Sequence, residues 1–248
     1  MITTIALREF RNLFISPLAW TILAVITAII AYLFLIKIEI YIDIQPRLIG
    51  MKNPPGISEM IIIPLLSEAS TLLLLITPLI SMHLFSGERQ QHTLTLLFSS
   101  PISISEIVLG KYLGLLGFFI ILLGLISLMP LSLLAGATID TGRLYAALLG
   151  LALLLASFSA IGLLMSSLTH SPTIAATGTF GVLLLLWIID WAGTNPGNSD
   201  ALFSYISILR HQQSFMNGMV NSSDVFYFLL LIITSLGLSI NHLDMSRR

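Results

Sequence analysis

Residues 105–129, SEIVLGKYLGLLGFFIILLGLISLM, decide the fold of this chain, because they form a predominantly apolar run of 25 residues. An α-helix rises about 1.5 Å per residue and bilayer hydrocarbon is about 30 Å thick, so about 20 apolar residues cross it. The run also carries its own start signal. Ser103 and Glu106 stand three apart ahead of Ile107. That is the spacing of a capping box, in which hydroxyl and carboxylate satisfy the first free backbone N–H groups.

Outward from this stretch, five more meet the same length test, at about 18–36, 60–82, 144–166, 173–191 and 225–241. Ser171-Pro172 places an N-cap before a proline at the first helical position, and Ser223 is placed to cap the last span. Pro64 and Pro78 are expected to bend the second. Composition agrees: of 248 residues 56% are hydrophobic and 9% charged, with a mean hydropathy of +0.98. A soluble domain carries about 25% charged residues. An ordinary soluble enzyme, a disordered chain and a basic nucleic-acid binder are excluded. With 11 basic and 12 acidic residues the net charge is −1, so bulk charge selects no polyanionic partner and no nucleic acid. Cysteine is absent, which removes disulfides, thiolate metal sites and cysteine nucleophiles. The reading is an all-α integral membrane protein with six transmembrane helices, organised as one transmembrane domain over 1–248.

The two ends of the spans are told apart by the flanking charges. Arg8 and Arg11 resemble the basic region of a signal peptide, but Leu18 to Ile36 is too long for one and ends in Ile36-Lys37-Ile38 without a small-residue cleavage site. It reads as a retained first span. With the N-terminus inside, Arg8, Arg11, Arg89, Lys111, Arg247 and Arg248 fall on the cytoplasmic side. Lys37, Arg47, Lys52, Arg143 and Arg210 fall on the other. Six against five satisfies the positive-inside rule by a narrow margin and puts both termini in the cytoplasm.

Residues 2–14, ITTIALREFRNLF, are amphipathic: Ile2, Ala6, Leu7, Phe10, Leu13 and Phe14 share one side, Thr4, Arg8, Arg11 and Asn12 the other. Such a helix lies in the membrane interface, and Pro17 separates it from the first span. After the first span, KIEIYIDI at 37–44 alternates strictly, which suits either a short extended piece or the end of the first helix. Residues 192–224 open with the polar AGTNPGNSD; the second part, ALFSYISILRHQQSFMNGMVNSSD at 201–224, is too short and interrupted to span and reads as a re-entrant or surface-lying helix on the outer side. Between spans two and three, SGERQQHTLTLLFSSP at 86–101 holds six consecutive polar residues, Glu88 to Thr93, followed by Leu94, Leu97 and Phe98 at helical spacing. Ser86 is a candidate N-cap, Glu88 suits the first turn, and Pro101 ends the helix. The expectation is a short cytoplasmic helix with a polar outer face and an apolar inner one.

Catalytic signatures are missing. There is no phosphate-cradling G-x-x-x-x-G-K-[ST], since Gly110-Lys111 lacks the upstream glycine and is followed by Tyr112. No H-E-x-x-H or G-x-S-x-G occurs, and His83, His92, His170, His211 and His242 are scattered and read as solvated. No metal site and no bound cofactor are expected. Gly110-x-x-x-Gly114 is a helix-packing pattern of low specificity. Glu68 is expected near the middle of the second span, where a carboxylate costs about 2.5–3.5 kcal/mol on insertion scales. Ser67, Ser70, Thr71, Thr77 and Ser81 form a hydroxyl stripe with Glu68 at its edge. The stripe faces a polar pathway or a partner subunit, or else its hydroxyls bond their own helix and glue it to neighbours.

The whole arrangement resembles the membrane subunit of ABC-2 type ATP-binding-cassette transporters. Gly87-Glu88-Arg89-Gln90-Gln91-His92-Thr93-Leu94-Thr95-Leu96-Leu97, then Ser100-Pro101, is similar to that family's E-[RK]-E-x-G-T-L-E-x-L-L…P coupling-helix region. Gln90, His92 and Thr95 stand where the family has Glu, Gly and Glu, so the acidic face is weaker. Ser204-Tyr205-Ile206-Ser207…Phe215…Gly218…Asp224-Val225, with Arg247-Arg248, resembles the gliding-motility-associated branch. The resemblance implies a permease in the bacterial inner membrane, paired with a second permease copy or homologue and driven by a cytoplasmic ABC ATPase that binds ATP and Mg. It assigns Glu88, Arg89, Gln90, Gln91, His92, Thr93, Leu94 and Leu97 to the ATPase-coupling helix. Two other classes stand beside this one. One is a membrane anchor through which an ATPase works on an envelope or motility machine, which an accessory protein with a periplasmic domain would favour. The other is an intramembrane enzyme using Glu68 or Asp190.

Overall fold

The computed structural model describes residues 1–48, 55–90, 102–135, 139–193 and 205–247, and every regular element among them is a helix. The N-terminal helix α1 runs Ile2–Ile15. Ser16 is extended, the conformation that a following proline imposes, and Pro17 opens α2, Pro17–Leu48. Trp20 Nε1 donates to the Phe14 carbonyl at 2.9 Å, satisfying one of the free acceptors at the end of α1. A π-helical turn, Ser58–Ile62, leads into α3, Ile63–Ser81, and a tight turn then leads to α4, Ser86–Gln90. Next come α5, Ile104–Ser132, α6, Thr141–Leu168, and α7, Pro172–Gly193. A short α8, Ile208–Met216, and the last helix α9, Ser222–Arg247, complete the chain. Six of these stretches are long and apolar enough to cross a membrane. This is a multi-pass membrane protein.

Local chemistry sets the helix ends. The capping box at Ser103 forms as the spacing requires, with the Glu106 N–H on the Ser103 hydroxyl and the Ser103 N–H on the Glu106 carboxylate. Asp140 caps α6 through the Arg143 N–H. Pro172 starts α7 as expected, whereas α9 begins at Ser222, one residue ahead of the expected cap at Ser223. Pro64 falls in the first turn of α3, directly after the π-helical turn, so its missing N–H interrupts no established ladder.

Helix α6 is the hub. Of the six spans it is the most enclosed, with 61% of its apolar window buried, and α3, α5, α7, α8 and α9 all pack on it. Helix α2 stands at the periphery against α3 and α5. Its outer side leaves Trp20, Val25, Ile29, Tyr32 and Leu35 exposed, the composition that bilayer hydrocarbon accepts. The alternation in KIEIYIDI is not a strand. Helix α2 continues through it, because Lys37, Ile38, Tyr41 and Ile44 turn inward at helical spacing while Ile40 and Ile42 face out.

Helix α1 lies along the start of α5 on a glycine seam. A Cβ at Gly110 would come within 2.7 Å of Ile5, one at Gly114 within 2.8 Å of the Glu9 Cβ, and one at Gly117 within 2.9 Å of Phe10. The Gly110-x-x-x-Gly114 pattern therefore admits α1 rather than another span. One assignment on α1 changes. Leu7 is 71% exposed, on the side of Thr4, Arg8 and Arg11, and Ile5 and Glu9 face the bundle in its place.

Candidate functional site

Two polar centres lie at opposite ends of the bundle. At the end that holds both chain termini, the turn from α3 into α4 is clamped by one hydroxyl. Ser166 Oγ on α6 accepts the N–H groups of Phe85 at 3.0 Å and Ser86 at 3.1 Å, and donates to the Met82 carbonyl at 3.0 Å. Phe85, Ser86 and Ser166 are fully buried. Ser86 does not cap α4 forward; its own hydroxyl turns back to the Met82 carbonyl.

Held this way, α4 presents Glu88 to the bundle. The Lys111 ammonium on α5 donates to Glu88 Oε1 at 2.7 Å and to Glu9 Oε1 on α1 at 3.0 Å, and lies 5.2 Å from the centre of the Phe85 ring. Lys111 is 1% exposed. Burying an ammonium this deeply costs several kcal/mol unless charged partners replace water, and here two carboxylates and an aromatic face do so. Three elements distant in sequence, α1, α4 and α5, are joined at one atom. Arg89, His170 and His242 gather beside this centre, and Gln90 is exposed. Gln91, His92, Thr93, Leu94 and Leu97, the remainder of the expected coupling helix, lie outside the described residues.

Lys111 and Glu9 were not singled out by the sequence reading. A signal for each exists. Lys111 stands seven residues into an apolar span, where an ionisable group needs a partner. Glu9 is the one acid on α1, set among apolar neighbours on the packed side.

The hydroxyl stripe of α3 divides. Ser70 and Thr77 are buried and donate to the Leu66 and Leu73 carbonyls at 2.8 and 2.7 Å, while Ser67 and Thr71 are exposed. Glu68 Oε1 accepts from Lys37 Nζ at 2.7 Å, and the carboxylate side chain is 43% exposed. Lys37 is 20 residues beyond Pro17, about 30 Å along the helix, so the pair sits toward the end opposite the termini and Glu68 is not near the middle of its span as expected. The side chain of Asp190 lies outside those described.

The second centre is at that opposite end. Helix α8 is not surface-lying: Ile208, His211, Gln212, Phe215 and Met216 are buried among α3, α6, α7 and α9. Gly150 of α6 admits Phe215. His211, read from the sequence as solvated, is buried and stands 2.6 Å from Asp224 Oδ1 through Nδ1 and 2.9 Å from the Tyr205 carbonyl through Nε2. Gln212 donates to Ser70 Oγ across to α3. Arg143 of α6 reaches Glu59 at 2.8 Å and the Met216 carbonyl at 3.2 Å. No group of three or more His, Asp or Glu side chains suited to a metal ion occurs among the described residues.

No curated protein matches the chain. A family described as ABC-2 family transporter protein matches residues 3–240, nearly the full length, and its members are membrane subunits of ABC transporters. Six membrane-crossing helices, an amphipathic N-terminal helix locked to the third span, and a short polar helix after the second agree with that match: the chain belongs to the ABC-2 transporter family and is a permease subunit.

Proposed function

We propose that this permease subunit couples ATP hydrolysis by a separate cytoplasmic ATPase to export across the bacterial inner membrane. The terminal end of the bundle is the cytoplasmic one, the ATPase docks at residues 88–97, and a second permease copy or homologue completes the pathway. ATP and Mg belong to the ATPase; this chain binds neither. The observation that supports the reading is the Glu9–Lys111–Glu88 cluster. A force applied at α4 reaches α5 through a short, desolvated ion pair, and the same ammonium passes it to α1. Ser166 ties the same turn to α6, the hub of the bundle. Helix α4 is thus gripped from within, with Gln90 facing outward.

Affinity purification in mild detergent tests the proposal. An ABC ATPase subunit should co-elute with the wild type and be lost on Gln90→Trp, with the permease itself unchanged in yield and melting temperature. Purified alone, the permease should hydrolyse no ATP. Elution without any ATPase, or hydrolysis by partner-free permease, would overturn the proposal.

A further inference from the structure

His211 Nε2 faces the Tyr205 carbonyl at 2.9 Å, and a carbonyl only accepts, so Nε2 carries a proton. Nδ1 faces Asp224 Oδ1 at 2.6 Å. That contact is attractive only with one further proton between nitrogen and oxygen, because lone pairs otherwise oppose each other. Both side chains are more than nine-tenths buried, and the His211 ring stacks on Tyr227 with centroids 4.1 Å apart. The Tyr227 hydroxyl donates to the Ile206 carbonyl at 2.6 Å. The segment entering α8 is thereby fastened to α9 directly at the Ile206 carbonyl, and at the Tyr205 carbonyl through His211, which itself reaches α9 at Asp224.

We propose that His211, Asp224 and the Tyr205 carbonyl form a proton-held latch that seats residues 205–216 on α9 and releases them when the shared proton leaves. In the closed state the ring and the carboxyl hold two protons, one facing the Tyr205 carbonyl and one between Nδ1 and Oδ1, with no net charge. When the proton between Nδ1 and Oδ1 passes to solvent, one ring proton is left to serve two acceptors, and a buried carboxylate is left with a net charge of −1. One of the two contacts then becomes repulsive. The pivot is Gly218, whose φ of +82° ends α8: the Gly218 N–H bonds the Phe215 carbonyl and the Met219 N–H the Ser214 carbonyl. Around the latch, the described titratable groups are Asp224 and Tyr227 on α9, Tyr205 ahead of α8 and the exposed Arg210 on α8. From α6 comes Arg143, and from the π-helical turn Glu59, and these two pair with each other.

The native absence of cysteine makes the test direct. Nitroxide labels on Gln213→Cys and Leu229→Cys, both exposed, report the α8–α9 distance in phosphatidylcholine nanodiscs by pulsed electron resonance. From pH 6 to 9, below the tyrosine range near 10, a second, longer distance should grow in. Once the proton leaves, the open-to-closed ratio should rise about tenfold per pH unit, the slope of a one-proton release. Asp224→Asn should stay closed throughout, because its amide donates to a neutral Nδ1 while Nε2–H remains on Tyr205. His211→Gln should likewise lose the pH response, so either variant serves as the control if the other folds poorly. A wild-type distance unchanged from pH 6 to 9, or variants that open with the wild-type slope, overturns the latch.

Discussion

Lys111 carries more consequence than any other single side chain. One buried ammonium bridges two carboxylates, so its removal leaves two like charges close together in a low-dielectric pocket. Lys111→Met should lower unfolding stability by about 3–5 kcal/mol, the cost of breaking a buried pair from one side. Adding Glu9→Gln and Glu88→Gln should recover most of that loss, since both carboxylate charges are then removed together with the ammonium. Denaturant titration of the single and triple variants in detergent checks both statements. The same geometry separates two polar residues of α4, Glu88 and Gln90. Glu88→Lys sets an ammonium against Lys111 and should damage the permease itself, whereas Gln90 faces outward and its changes should act on a docked partner. Glu68 behaves differently, being 43% exposed with Lys37 as its partner. Glu68→Gln strands Lys37 and should lower the melting temperature of the purified permease. The double change Lys37→Met, Glu68→Met should lower it less, as a thermal scan of the three proteins will show.

At the scale of elements, the seam between α1 and α5 is the most sharply testable. Gly114→Leu drives a side chain into the Glu9 Cβ and the Ala6 carbonyl, backbone that cannot yield without moving the helix. Overpacking of this kind costs about 1–3 kcal/mol, and here the cheapest relief is to unseat α1. Hydrogen exchange should rise across residues 2–15 and stay unchanged in α6. Elements whose pattern is local were legible in the sequence. The six spans followed from length and apolarity, the capping box from two residues three apart, and α1 from its period. What escaped was set by partners far along the chain. Lys111 finds Glu9 across 102 positions and Glu88 across 23, so no window around it reveals the cluster. In KIEIYIDI the strand-like alternation conceals a helical set, and packing of Ile38 and Tyr41 on the core decides between them. His211 looked solvated because α8 is polar in composition; its burial depends on Asp224 and on the space above Gly150.

For the whole molecule, an even number of spans puts both termini and α4 at one end and α8 at the other. Single cysteines replacing Gln90 and Asn217, both exposed, should label with impermeant maleimide from opposite sides of the membrane, Gln90 from the cytoplasm. Labelling of both from one side would contradict six crossings. The seat of α1 has a further meaning once the chain is considered in time. Ile5 meets Gly110, 105 positions later, and a ribosome adding about 5–20 residues per second needs about 5–20 s to cover that distance. Through that interval Ile2, Ile5, Phe10, Leu13 and Phe14 have no protein surface to join, and the lipid headgroup layer is the place where an amphipathic helix waits at low cost. The same row of side chains therefore serves two successive hosts, first lipid and then the third span, and translation sets the hour of the exchange.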